Sequence, residues 1–331
     1  MVCQLIPTVI VLSLKQTNPV LSSEFIYEKA PYPSCHASTI AETTRHGLVA
    51  AWFGGTAESN PDVVIYMSRW EHGKWTDSYA VANGIKDGER YPCYNPVLFQ
   101  SPSGPLLLFY KYGRGPQTWH GRMTSSLDGG KTWSPSTDLP DGVLGPIKNK
   151  PILVGRNTLL CPSSTEDQGW RVRFETTQGL GKTWKVSGYV NSPSVIGAIQ
   201  PSILRMGGRR LRAVGRTQQE RVFAVDSQDN GKTWGPMKLL DVLNPNSGID
   251  AVTLRDRRHV LVYNNTPKGR TPLNLAISSD GEHWKPVLTL EDEPGEYSYP
   301  AVIQTSDGLV HITYTWHRER IKHVVVDPKR L

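Results

Sequence analysis

The chain has 331 residues, is 38% hydrophobic and 20% charged, and contains 30 Gly, 25 Pro and 10 Trp. This turn-rich, aromatic-rich mix belongs to a folded protein of many short strands rather than long helices. The formal charge of +7 favours an acidic partner, but Lys and Arg are scattered and form no basic run, which argues against nucleic acid.

In chain order, the first element is the apolar run "LIPTVIVLSL" (5–14). It has the length of a signal peptide and is too short to span a bilayer. Residues 1–22 are therefore expected to be a leader, the product secreted or periplasmic, and 23–331 a single domain without a transmembrane span. "EFIYEKA" (24–30) reads as a strand. Six copies of a β-hairpin follow, each an apolar strand, a turn of Gly, Asn, Asp or Ser, and a second apolar strand. They cover 37–55, 96–113, 151–166, 201–216, 251–265 and 300–316, and their starts lie 59, 55, 50, 50 and 49 residues apart.

A second signal has the same period. "SSLDGGKTW" (125–133), "TTQGLGKTW" (176–184), "SQDNGKTW" (227–234), "SSDGEHW" (278–284) and the weaker "SRWEHGKW" (68–75) end on Trp residues 58, 51, 50 and 50 apart. A period near 50 residues marks a propeller or solenoid. With about two further strands per hairpin, the expected fold is all-β: a six-bladed β-propeller with four antiparallel strands per blade. The strand at 24–30 would close the ring onto the last blade. The motif itself is expected to be structural. Its Asp bonds the local backbone, its Gly supplies a left-handed turn, and its Trp packs between blades. The four Cys show no metal or disulfide spacing and are expected as free core residues.

The repeat also locates a site. In a propeller the innermost strand of each blade starts beside the axis at one face. The residues just before those strands are His36, Asn95, Lys150, Gln200, Asp250 and Tyr299, all polar. The returning strands end near Thr56 and Glu58, Lys111, Glu166, Arg216, Asn265 and Arg318. Acids, bases and amides converging on one axis are what a polar pocket needs.

The Trp-closed turns resemble the Asp boxes of the sialidase superfamily, or BNR repeats, over roughly residues 30–327. The resemblance implies a six-bladed propeller with the active site on its axis. It also implies an arginine clamp for the substrate carboxylate, a Tyr nucleophile activated by a Glu, and an Asp acid/base. Arg216 and Arg270 stand where two clamp arginines lie, and "GEYSYP" points to Tyr297 as nucleophile, with Tyr299 close by. Glu58 or Asp62 is the acid/base. The chain departs from the family where His36 replaces the first arginine and Gln200 replaces the Glu partner.

Three functions follow as expectations. The first is a glycoside hydrolase of sialidase type acting on an acidic sugar of a glycan, with Arg216 and Arg270 on the carboxylate. The second is a polysaccharide lyase on a uronate, in which Arg216 and Gln200 neutralise the carboxylate while His36 and Tyr297 exchange the proton. His120 is a further candidate there. The third is a non-catalytic glycan-binding propeller that stacks sugars on Trp119, Trp170 or Trp316. Asn95, Lys150, Asp250, Tyr299 and Arg318 are expected to line the substrate site. No cofactor and no metal is implied.

Overall fold

The computed structural model describes residues 18–331. Six antiparallel blades surround an axis, and each is built outward from one of the expected hairpins. The two inner strands are Ser34–Glu42 and Leu48–Gly55 in blade 1, Cys93–Gln100 and Leu106–Tyr112 in blade 2, and Ile152–Leu153 and Thr158–Thr165 in blade 3. They are Ala198–Arg205 and Leu211–Thr217 in blade 4, Asp250–Thr253 and His259–Tyr263 in blade 5, and Tyr297–Gln304 and Val310–Trp316 in blade 6. Two more strands complete each blade. Blade 1 carries an extra short strand, and a hairpin, Gly84–Lys86 with Glu89–Tyr91, precedes blade 2.

The ring closes non-covalently. Val20–Phe25 pairs with Arg320–Val326 and supplies the outermost strand of blade 6. This strand lies upstream of the expected 24–30. Ile26 and Tyr27 instead turn inward and pack with Tyr32 and Trp52 beneath blade 1. The apolar run 5–14 lies outside the described residues, and Val20–Ser22, assigned above to the leader, belong to the closing strand. Among the described residues no helix is long and apolar enough to cross a membrane.

The Trp-closed turns join the third and fourth strands. Asp128 accepts the Lys131 and Thr132 amides at 2.9 Å and the Ser126 hydroxyl at 2.7 Å, and Asp229 repeats the pattern with Lys232, Thr233 and Ser227. The turn that carries Trp184 has Gly179 in place of the Asp, and its Trp packs toward the preceding blade as the others do. Trp234 stacks on Phe174 of blade 3 at 3.8 Å, and Trp184 meets Phe109 of blade 2 edge-on at 6.2 Å. Sealing blade against blade with buried aromatic area is what holds such a fold together. Cys35, Cys93 and Cys161 are free and buried in these layers.

One backbone device repeats at the axis. The inner strands of blades 1, 2, 4 and 6 each carry a β-bulge near their start, where Ala37, Asn95, Gln200 and Tyr299 adopt φ of 57°, 42°, 55° and 52°. A bulge with a left-handed residue re-aims a side chain that a regular strand would send elsewhere. Left-handed backbone costs a residue such as Tyr about 1 kcal/mol or more, and such strain concentrates at functional sites.

Candidate active site

The bulges turn a strand-end ring into a pocket floor. Tyr299, Gln200, Asn95 and His36 are all at most 9% exposed. The His36 and Tyr299 rings lie 4.2 Å apart, and Phe53 closes the far side of His36 at 5.7 Å. The buried His36 Nδ1 and Gln200 Oε1 have no hydrogen-bond partner among the described residues. Two unmet polar atoms on one floor are costly in an empty fold and are what a ligand would satisfy.

Three arginines stand around this floor, one from the end of a second strand and two from connections that follow second strands. Arg216 ends the second strand of blade 4, with its guanidinium 5.3 Å from the Tyr299 ring and 4.9 Å from Trp170. One of its amino groups donates to the Asn246 carbonyl at 2.8 Å, while its buried Nε is unpartnered. Arg270 lies in the loop after the second strand of blade 5, 5.8 Å from the same Tyr299 ring. Arg318 follows the second strand of blade 6. Glu296 holds the last two together, bonding Arg270 at 2.5 Å and Arg318 at 2.9 Å, and Glu58 bonds Arg318 at 2.7 Å. The two arginines keep the Glu296 carboxyl below its usual range despite partial burial.

The same arginines act on the floor. Burial, then the charges of Arg318, Arg270, Arg216 and Lys148, hold the His36 pKa well below its ordinary value. His36 is therefore neutral at neutral pH. Glu166, on the loop after the second strand of blade 3, behaves oppositely. Burial raises its pKa, with Glu58 adding to the effect, against the opposing pull of Arg216 and a hydrogen bond to Trp170. A carboxyl that keeps its proton longer than usual beside a cationic pocket suits an acid.

Several expected site residues lie elsewhere or are already engaged. Tyr297 is 2% exposed in the apolar layer between blades 5 and 6, with Val260, Leu273 and Tyr314. After burial, the influences on its hydroxyl are Glu291, Glu293 and Asp292, away from the arginines. It is Tyr299, two residues on, that reaches the axis. Lys150 and Asp250 neutralise each other at 2.8 Å, and Asp250 also accepts the Ser202 hydroxyl and the Val302 amide. They brace four blades below the pocket rather than present charge to it. Asp62 is half-exposed, and its carboxylate is held down by the Thr56 hydroxyl and amide, the reverse of an acid's needs. Lys111 is fully buried and donates to the Pro146 carbonyl at 2.8 Å, bracing the entry to blade 3. Trp316 stacks on His317 and meets Phe25 of the closing strand edge-on. His120 stacks on Tyr112 at 5.3 Å, off the axis.

Residues 46–312 match the family model of the BNR repeat-like domain. A sialidase of Bacteroides fragilis is 24% identical over 217 residues, which is 58% of this chain and 38% of that protein, so the chain matches well under half of its relative's length. The NanB sialidase of Streptococcus pneumoniae superposes over 95% of this chain and 71% of its own, with a TM-score of 0.79 at 11% identity. The intramolecular trans-sialidase of Ruminococcus gnavus superposes over 95% and 99%, with a TM-score of 0.76 at 12% identity. Repeat, blade count and family match agree: the chain belongs to the BNR repeat-like domain family and has the six-bladed propeller of the sialidase superfamily.

Proposed function

We propose that the protein is a glycoside hydrolase that releases an acidic sugar from the end of a glycan. The observation that carries this reading is the convergence of Arg216 and Arg270 on Tyr299, with Arg318 tied to Arg270 through Glu296 and acting with both on His36. Arginine forks suit a carboxylate, and three against the two anions Glu296 and Glu58 leave the pocket cationic. Arg216 and Arg270 take the carboxylate, with Arg318 completing the ring. Tyr299 attacks the anomeric carbon, and its phenolic proton passes to the neutral His36 beside it. Glu166 protonates the departing glycosidic oxygen. Water then cleaves the glycosyl–tyrosine bond, Glu166 taking the water's proton as the returning base while His36 hands the first proton back to the departing tyrosine oxygen and restores the phenol. Relatives named as sialidases support the substrate class.

One observation favours a second reading. A neutral His with an unpartnered nitrogen beside a Tyr and two arginines also fits β-elimination from a uronate. Incubation with sialylated and uronate-containing glycans separates the two. Free acidic sugar without an ultraviolet-absorbing product is expected. An unsaturated uronate chromophore would replace hydrolysis with elimination.

A further inference from the structure

The formal charge of +7 has no run of cations behind it in the sequence, yet the fold gathers cations on one face. Each inner strand starts beside the axial pocket and runs away from it. Ala198–Arg205 carries Gln200 near its start and Arg205 at its end. At about 3.3 Å per residue, that end reaches the face opposite the pocket. The hairpin turns at the ends of the inner strands of blades 3, 4 and 5 carry Arg156, then Arg205, Arg209 and Arg210, then Arg255 and Arg257. Arginines one blade repeat apart in sequence thus become neighbours in the ring.

All six are exposed, and none makes an ion pair among the described residues. The Arg205 amide donates to Thr253 Oγ1 at 2.9 Å, and its guanidinium reaches the Leu153 carbonyl at 2.5 Å, which ties blade 4 to blades 5 and 3. The Arg255 amide donates to Gln304 of blade 6 at 2.9 Å, and its guanidinium to the Thr305 and Ser306 carbonyls. These bonds bring the turns to one level and leave the cationic charge in place. The Trp-closed turns open on the same face, since the Asn230 amide of blade 4 donates to the Arg209 carbonyl at 2.8 Å. The acids nearby are engaged. Asp256 pairs with Arg258, Glu282 with Arg212 and Lys238, and Asp280 with His283, while Asp229 and Asp307 accept from their own turns. Like charges on adjoining turns repel, and an anionic partner relieves that repulsion.

Three observations indicate the partner. First, the described chain enters the fold at this face. Val20 pairs with Val326 at the far end of the third strand of blade 6, and Arg330 holds the Asn18 carbonyl at 3.2 Å. Arg258 of the blade 5 turn holds the nearby Pro328 carbonyl at 2.6 Å. The apolar run 5–14 lies outside the described residues and joins the fold at this point. An apolar segment attached here draws this face, and not the site face, toward a bilayer. Second, Leu127, on the Trp-closed turn of blade 2, is 88% exposed. Third, the arginines stand on separate turns of three blades, a planar array rather than a track. That suits a sheet of phosphate headgroups better than a single polyanionic strand, and the guanidinium fork matches phosphate geometry.

We infer that the face opposite the axial pocket is a docking surface for an anionic lipid bilayer, held by the arginines of the blade 3, 4 and 5 turns, with the pocket directed away from the membrane. The inference does not depend on what the pocket turns over.

The test is co-sedimentation of the full chain with vesicles of phosphatidylglycerol and phosphatidylcholine. Wild type is expected to bind at low salt, to be released by roughly 0.5 M NaCl, and to bind pure phosphatidylcholine at least about tenfold more weakly. The variant Arg156→Glu/Arg209→Glu/Arg257→Glu changes one residue in each turn and should lose about a hundredfold in partitioning. None of the three side chains makes a hydrogen bond among the described residues, so a thermal melt matching wild type is expected. Arg209→Glu alone should lose several-fold and keeps the test open if the triple variant unfolds. Lys86→Glu/Arg90→Glu/Arg114→Glu makes the same charge change at exposed positions of the site face and should keep binding. Equal binding to pure phosphatidylcholine, undiminished binding by the blade-turn variants, or equal loss in the site-face variant would overturn the inference. Capture by soluble dextran sulfate without vesicle binding would also overturn it, and would make the partner a soluble polyanion.

Discussion

The ring of His36, from blade 1, lies 4.2 Å from that of Tyr299, from blade 6, at the seam where the propeller begins and ends. Tyr297 is two residues away and faces an apolar layer instead. Under the proposed mechanism the two tyrosines therefore separate chemistry from packing. Tyr299→Phe is expected to lower kcat by about a thousandfold with little change in KM, because it removes the attacking oxygen and keeps the ring. Tyr297→Phe should leave kcat unaltered. Steady-state kinetics of the two variants checks this.

The charged residues divide in the same way. Arg216→Lys is expected to raise KM about tenfold or more, since an ammonium cannot reproduce a planar fork. Lys150→Met should act on stability instead. It leaves Asp250 buried without its cation, at a cost of about 3 kcal/mol, read by chemical denaturation.

Glu166 sets the alkaline side of the pH–rate profile if it is the acid. Its carboxyl must be protonated, and its pKa stands above the ordinary 4.5, so kcat should fall as pH rises through that raised value. Glu166→Gln should remove this limb and cost most on glycosides with poor leaving groups. A profile unchanged by Glu166→Gln would transfer the role elsewhere.

Stability should fall in acid because of a histidine pair at the ring closure. His311 and His323 are buried, their nitrogens are 3.0 Å apart, and His323 reaches Glu24 of the closing strand at 3.3 Å. Burial and then the neighbouring His323 lower the His311 pKa from 6.5 to about 4, against the weaker opposing pull of Asp307 and Glu42. Between those values the unfolded chain binds a proton that the folded chain refuses. The contribution is therefore complete above pH 6.5 and lost as pH falls toward 4, worth up to about 3 kcal/mol. Thermal melts across this range should show the decline, and His311→Gln should flatten it.

Blade count and hairpin positions were legible because a 50-residue repeat of strand, turn and Trp states its geometry many times over. The position of the axis followed from it, so His36, Gln200, Tyr299 and Arg216 could be named from spacing. What was not read depends on one local event. Three of the four bulges carry a proline directly after the left-handed residue, at Pro96, Pro201 and Pro300, and that signal, left unread, decides that Tyr299 rather than Tyr297 reaches the axis. Ion pairing was also hidden, because Lys150 and Asp250 come from blades 3 and 5 and meet only in the closed ring. Glu166 stood at a strand end like its neighbours. Only burial beside Trp170 and Arg216 sets it apart.

The most direct test of the central claim is to trap the intermediate. The protein would be incubated with a fluorinated derivative of the acidic sugar that forms the covalent adduct but loses it slowly, then digested and mapped by mass spectrometry. A glycosyl mass on Tyr299, absent from Tyr299→Phe, is the predicted result. An adduct on another residue, or turnover of the natural glycan with no covalent adduct, would contradict it.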